Sequence, residues 1–172
     1  MLRTSLCAVA LLAVSGASQA QTLQEIERRE ASVIEAWQKT PLTIRRAVFV
    51  AAHPDGFGEY VERKSNVFKP GEPLVAYVEP VAYGWKGSGS DSFQFGFDVD
   101  FLIKTPDGKV VGGQENFAKL RQTSHARNRE FMLTLTMSLD SAPAGDYVLQ
   151  YKLHDIASDK SAVVTLPFTV GG

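Results

Sequence analysis

Phe93-Gln94-Phe95-Gly96-Phe97-Asp98-Val99-Asp100-Phe101-Leu102-Ile103-Lys104 carries an apolar residue at every odd position from Phe93 to Ile103. Between them stand Gln94, Gly96, Asp98, Asp100 and Lys104, with Leu102 the single apolar exception. Side chains on a strand alternate between faces, so the stretch reads as a long strand with one buried and one wet face. Thr105-Pro106-Asp107-Gly108 follows as a turn, the proline presetting φ and the glycine accepting a positive φ.

The alternation continues outward in both directions. Downstream, Phe131, Leu133, Leu135, Met137 and Leu139 repeat it, then Tyr147, Leu149, Tyr151 and Leu153, then Ala162, Val164, Leu166, Phe168 and Val170. Pro143-Ala144-Gly145-Asp146 and Ala157-Ser158-Asp159-Lys160 supply the turns between these runs. Upstream, Leu74–Val81, Val61–Phe68 and Arg46–Ala52 are weaker strands. About seven short strands with turn signals between them predict a mostly β chain, an antiparallel β-sandwich over residues 42–172.

One helix precedes it. From Thr22 to Lys39 the apolar residues Leu23, Ile26, Val33, Ile34 and Trp37 recur at helical spacing opposite Glu27, Arg28 and Glu35. Thr22 and Glu25 have the spacing of a capping box, and Thr40-Pro41 ends the helix. Helix and linker together occupy 21–41. The apolar stripe has two readings, docking on the following domain or meeting a partner.

The first twenty residues read as a cleavable export leader: Arg3, an apolar run from Leu6 to Val14, then Ser18 and Ala20 at the positions a signal peptidase reads. That run is too short to span a bilayer, which takes about 20 apolar residues. The mature chain is therefore expected to begin at Gln21, to lack a membrane span, and to reside in the periplasm or outside the cell. Cys7, the one cysteine, leaves with the leader, so packing alone stabilises the mature domain. The formal charge of −1 argues against a nucleic-acid binder, which would be strongly basic.

Ser138-Leu139-Asp140-Ser141-Ala142-Pro143-Ala144-Gly145-Asp146-Tyr147-Val148-Leu149, with Leu153-His154-Asp155 and Pro167-Phe168-Thr169-Val170 after it, resembles the closing strands of exported bacterial immunoglobulin-like modules. In those modules a Pro-x-Gly-x-Tyr turn opens a strand. The resemblance implies an immunoglobulin-like sandwich and carries no catalytic residue across; the paired cysteines of antibody-type domains are missing. The stretch from Gly71-Glu72 to Trp85 is similar to exported bacterial proteins and names no activity.

Candidate sites come from loop residues. Tyr83 and Trp85, in a Gly/Ser-rich stretch, and Phe57 and Tyr60, in another, are rings suited to recognition or to covering the core edge. Arg121, Arg127 and Arg129, with Lys119 and His125, form a basic segment read as a loop or short helix, able to meet an acidic partner or anionic polymer or to lie salt-bridged on the surface. His53, His125 and His154 lack the spacing of a zinc site, and Asp98 with Asp100 reads as a solvated strand face rather than a calcium site. No metal or cofactor is expected. There is no nucleophile elbow and no phosphate loop.

The function so indicated is a non-catalytic exported module that binds a protein or polysaccharide through sandwich-end loops. The alternatives are a glycan or small-molecule binder using the aromatic loops, or a small metal-dependent hydrolase using the loop histidines. Ligand identity and oligomeric state are not encoded in any motif.

Overall fold

The computed structural model describes residues 15–139 and 142–172. Arg3, Cys7 and the apolar run read as a leader, and Asp140 and Ser141 of the stretch that resembles immunoglobulin-like modules, lie outside the described residues. The chain divides into two units, Met1–Ala36 and Trp37–Gly172.

Helix α1 is Ser15–Lys39. It starts ahead of Thr22, which therefore sits inside the helix rather than at its cap, and Glu25 pairs with Arg28 and Arg29 at 2.5 and 2.7 Å. Leu23, Ile26 and Val33 are exposed.

The second unit holds nine strands among the described residues: β1 Thr43–Phe49, β2 Val67–Phe68, β3 Leu74–Val81, β4 Lys86–Gly87, β5 Phe93–Lys104, β6 Val110–Ser124, β7 Leu133–Met137, β8 Gly145–Asp155 and β9 Ser161–Val170. They form a three-stranded sheet, β1-β3-β7, and a six-stranded one, β2-β9-β8-β5 with β4 and β6 also on β5. All pairs are antiparallel except β2 with β9. Against the about seven strands the alternation predicts, the additions are β4 and β6.

The alternation of β5 is realised as expected on its inner face. Phe95, Phe97 and Val99 are fully buried and Ile103 is nearly so, while Phe93 and Phe101 at the margins are half-buried. They meet Leu149, Tyr151 and Leu153 of β8 and Val164, Leu166 and Phe168 of β9, and, from the other sheet, Leu74, Ala76, Val78, Leu133 and Leu135, in one core. Each fully buried large apolar side chain contributes about 1.5–3 kcal/mol. Gly96 is required: its φ is 145°, and a Cβ there would collide with the Leu120 carbonyl.

β6 escapes period-2 reading because it is bulged twice. Its register against β5 slips between Val99 and Phe101 and again between Ile103 and Lys104. The first slip leaves Glu115–Phe117 unpaired, with Asn116 at φ 53°, and turns Phe117 onto Phe101 at 4.9 Å and Tyr151 at 6.3 Å. The Tyr151 hydroxyl is buried without a hydrogen-bond partner, and burial pushes the phenol's pKa up. β6 pairs along the whole of β5, and β4 and β8 share β5's other side, so β6 is a sheet edge. Its bulges, Lys119 and Arg121 guard that edge against pairing with another chain.

Lys160, in the turn between β8 and β9, donates to the carbonyls of Gln38, Thr40 and Ala82 at 3.1, 2.7 and 2.8 Å. A cation on carbonyls left open at a helix C-terminus satisfies acceptors that have no partner within the helix.

Candidate functional site

The structure places three of the four predicted recognition rings, Tyr83, Trp85 and Tyr60, in two separate networks. Tyr83, in the loop between β3 and β4, is fully buried. Its ring stacks on Phe95 at 5.7 Å and lies edge-on to Trp37, Phe97 and Phe131. Its hydroxyl and the Trp85 indole N–H both donate to the Asn128 carbonyl at 2.9 Å, and the Trp37 indole donates to the Tyr83 carbonyl at 2.7 Å. Half-buried Trp85 stacks on Trp37 at 5.5 Å. This cluster seals one part of the core, and Tyr83 presents no surface to a ligand. Of the two readings given for these rings, Tyr83 takes the one in which the ring covers the core.

Tyr60 belongs to the other network, and Phe57 is half-buried in the segment between β1 and β2. Tyr60 stacks on Tyr77 of β3 at 4.1 Å. Ala76 and Val78 are core residues, so Tyr77 and Glu79, at alternate positions, face away from the core. Both are nonetheless buried, because the segment between β1 and β2 covers them. The Gly58 N–H donates to the Tyr77 hydroxyl at 2.8 Å, which donates to Glu79 Oε1 at 2.7 Å. Burial, then the bond to Glu79, pushes the Tyr77 pKa up to about 12.

The basic segment is a strand end followed by a loop, not a loop or short helix throughout. Lys119 and Arg121 are on β6, where Lys119 stands opposite Asp98. Arg121 reaches Asp98 Oδ1 at 2.5 Å and the Phe97 carbonyl at 3.0 Å. Arg127 lies over the Phe93 ring at 4.9 Å, and Arg129 is exposed. Exposed His125 contacts Asp91. Paired acids and ring contacts break up the basic field along this stretch.

The outer face of the six-stranded sheet has two zones. In the polar zone, Asp100 accepts the Asn116 N–H of the β6 bulge at 2.8 Å on one oxygen and meets His154 Nε2 at 2.7 Å on the other. The Asn116 N–H first, and His154 second, hold the Asp100 carboxyl below its ordinary range. Asp155, next to His154, points the opposite way. It is buried and accepts from the Gly84 N–H, the Ala157 N–H and the Ser158 hydroxyl at 2.6, 2.9 and 2.5 Å.

The second zone is an apolar trough of about 610 Å³. Leu102, Val110, Val111, Gly113 and Val163 line it, with Asp100, Glu115, Gln150 and Lys152 around them. Leu102, Val110, Val111 and Val163 are 37, 51, 50 and 52% exposed, in the place where a solvated sheet face ordinarily carries polar side chains. Gly113 keeps the trough open: a Cβ there would come within 2.7 Å of Leu102 Cδ2. None of the loop rings or basic residues named from the sequence lines this trough. Its sequence signal was there: Leu102 as the one apolar residue on the wet side of β5, and Val110-Val111-Gly112-Gly113 after the turn.

Among the described residues no three His, Cys, Asp or Glu side chains gather as a metal-ligand group. His53 is exposed, and His154 meets a single carboxylate.

The fold and this face define a two-sheet β protein with an N-terminal helix and an open apolar trough on its larger sheet. No family model and no curated relative matches the chain. Among solved structures it is similar to CopC from Methylosinus trichosporium OB3b, at 16% identity and a TM-score of 0.32, over 73% of this chain and 94% of that one. At that level the likeness leaves the function to be argued from the chain's own residues.

Proposed function

We propose that the chain is a non-catalytic exported binding module whose ligand seats in the trough on the six-stranded sheet. The observation that carries this reading is the exposure of Leu102, Val110, Val111 and Val163 together on one sheet face. Contiguous exposed apolar surface with a polar rim is the signature of a contact site, and the trough's size falls within the about 300–1,000 Å³ of small-ligand sites. The ligand so recognised has an apolar body over Leu102 and Val163 and polar groups toward Gln150, Lys152 and Glu115.

The chemistry around the trough favours binding over catalysis. Asp100 has both oxygens engaged, one by a backbone N–H, so it is held as a structural carboxylate. Export rests on the leader-like first twenty residues, and among the described residues no helix is long and apolar enough to cross a membrane. The periplasm or the cell exterior is the compartment this reading assigns.

The test uses anilinonaphthalene sulfonate, a fluorescent dye with an apolar body and an anionic group, in titrations of the wild type, Leu102→Glu and Val163→Glu. Both positions are exposed, so the variants keep the wild-type melting curve. A glutamate in the trough weakens dye binding at least about tenfold, because its carboxylate resists desolvation under the apolar body and repels the sulfonate. Unchanged titrations in both folded variants would overturn the assignment of the trough.

A further inference from the structure

We propose that the exported chain carries pyroglutamate at Gln21. The inference rests on the reading of the first twenty residues as a leader cut after Ala20, and goes beyond it to the chemistry of the new terminus. In the uncut chain α1 runs through the Ala20–Gln21 bond. The cut makes an interior helical residue the first residue of the chain.

That residue is a glutamine, the one amide side chain whose Cδ lies at five-membered-ring distance from its own α-amine. Gln21 is exposed, and its carboxamide has no hydrogen-bond partner among the described residues. The neutral α-amine attacks Cδ and forms the lactam C–N bond. The Cδ–Nε2 bond breaks, and the side-chain nitrogen leaves as ammonia with the proton given up by the amine. No oxidant, reductant or co-reactant is consumed.

The helix gives the product an advantage. A free α-ammonium on Gln21 would stand at the positive end of the α1 dipole, and like charges repel there. The lactam is neutral, so cyclisation removes that repulsion.

The experiment is intact-mass and fragment-ion spectrometry of the full chain recovered from the exported fraction, with Gln21→Ala prepared in parallel. The proposal expects a chain starting at position 21, lighter than the linear mass by one ammonia. It should resist stepwise N-terminal degradation until treated with pyroglutamyl aminopeptidase. The Gln21→Ala variant should start at the same position with a free amine. A chain starting at Gln21 whose amine stays free on prolonged incubation overturns the cyclisation and leaves the leader reading standing. A chain starting elsewhere, or retaining Met1, overturns both.

Discussion

The two sheets treat their outer faces in opposite ways. On the three-stranded sheet, Tyr77 and Glu79 point away from the core and are buried all the same, under Tyr60 and the Gly58 backbone. On the six-stranded sheet, Leu102 and Val163 point outward and stay exposed. A polar pair is covered and an apolar group is open, the reverse of what side-chain polarity alone predicts. Covering the first face lets one hydroxyl both accept from Gly58 and donate to Glu79, so the polar groups are satisfied out of water. Leaving the second face open costs little for each exposed side chain, yet it preserves a contiguous apolar surface, which is why we place binding there.

The largest expected effect breaks the covered face. Tyr77→Ala removes a fully buried ring, the stacking partner of Tyr60 and the hydroxyl that satisfies Glu79, and should cost about 3–5 kcal/mol. Leu102→Ala, on the open face, should cost about 1 kcal/mol or less, since much of that side chain is already in water. Urea melts of the two variants compare the faces directly; equal losses would mean the faces are not differently covered.

A smaller effect sharpens the open face. Asp100 has its folded pKa held below the ordinary aspartate value, so its bonds to Asn116 and His154 stabilise the fold fully above that ordinary value of about 3.9. The contribution is lost as pH falls through the lowered folded value. Asp100→Asn should therefore be less stable than wild type at neutral pH, with the gap closing on acidification. A gap that persists unchanged to pH 3 in paired urea melts would show that the carboxylate's charge is not what ties the β6 bulge to β5 and β8.

The same contrast explains what could be read from the sequence. β5, β7, β8 and β9 were legible because each keeps an unbroken period of two against one core. β6 was not, because two bulges shift its phase and Phe117 turns inward from an unpaired position. Tyr83 lies in the loop between β3 and β4, and the sequence left its two roles open for a related reason. Its neighbours Gly84, Ser88 and Ser90 suggest a loop, while its burial depends on Trp37 and Phe131, which are distant in sequence. The trough could have been suspected from Leu102, but its walls needed the register that brings Gly113 beside Leu102 and Val163 beside Lys152.

The most direct measurement is a map of backbone amide shifts by NMR as anilinonaphthalene sulfonate is added to the folded protein. The account predicts that the shifts concentrate at Leu102, Val110, Val111, Gly113 and Val163, with Val75, Tyr77 and Glu79 on the covered face unmoved. Shifts centred on Tyr60 and Tyr77, or on Trp85, with the trough residues unmoved, would contradict it.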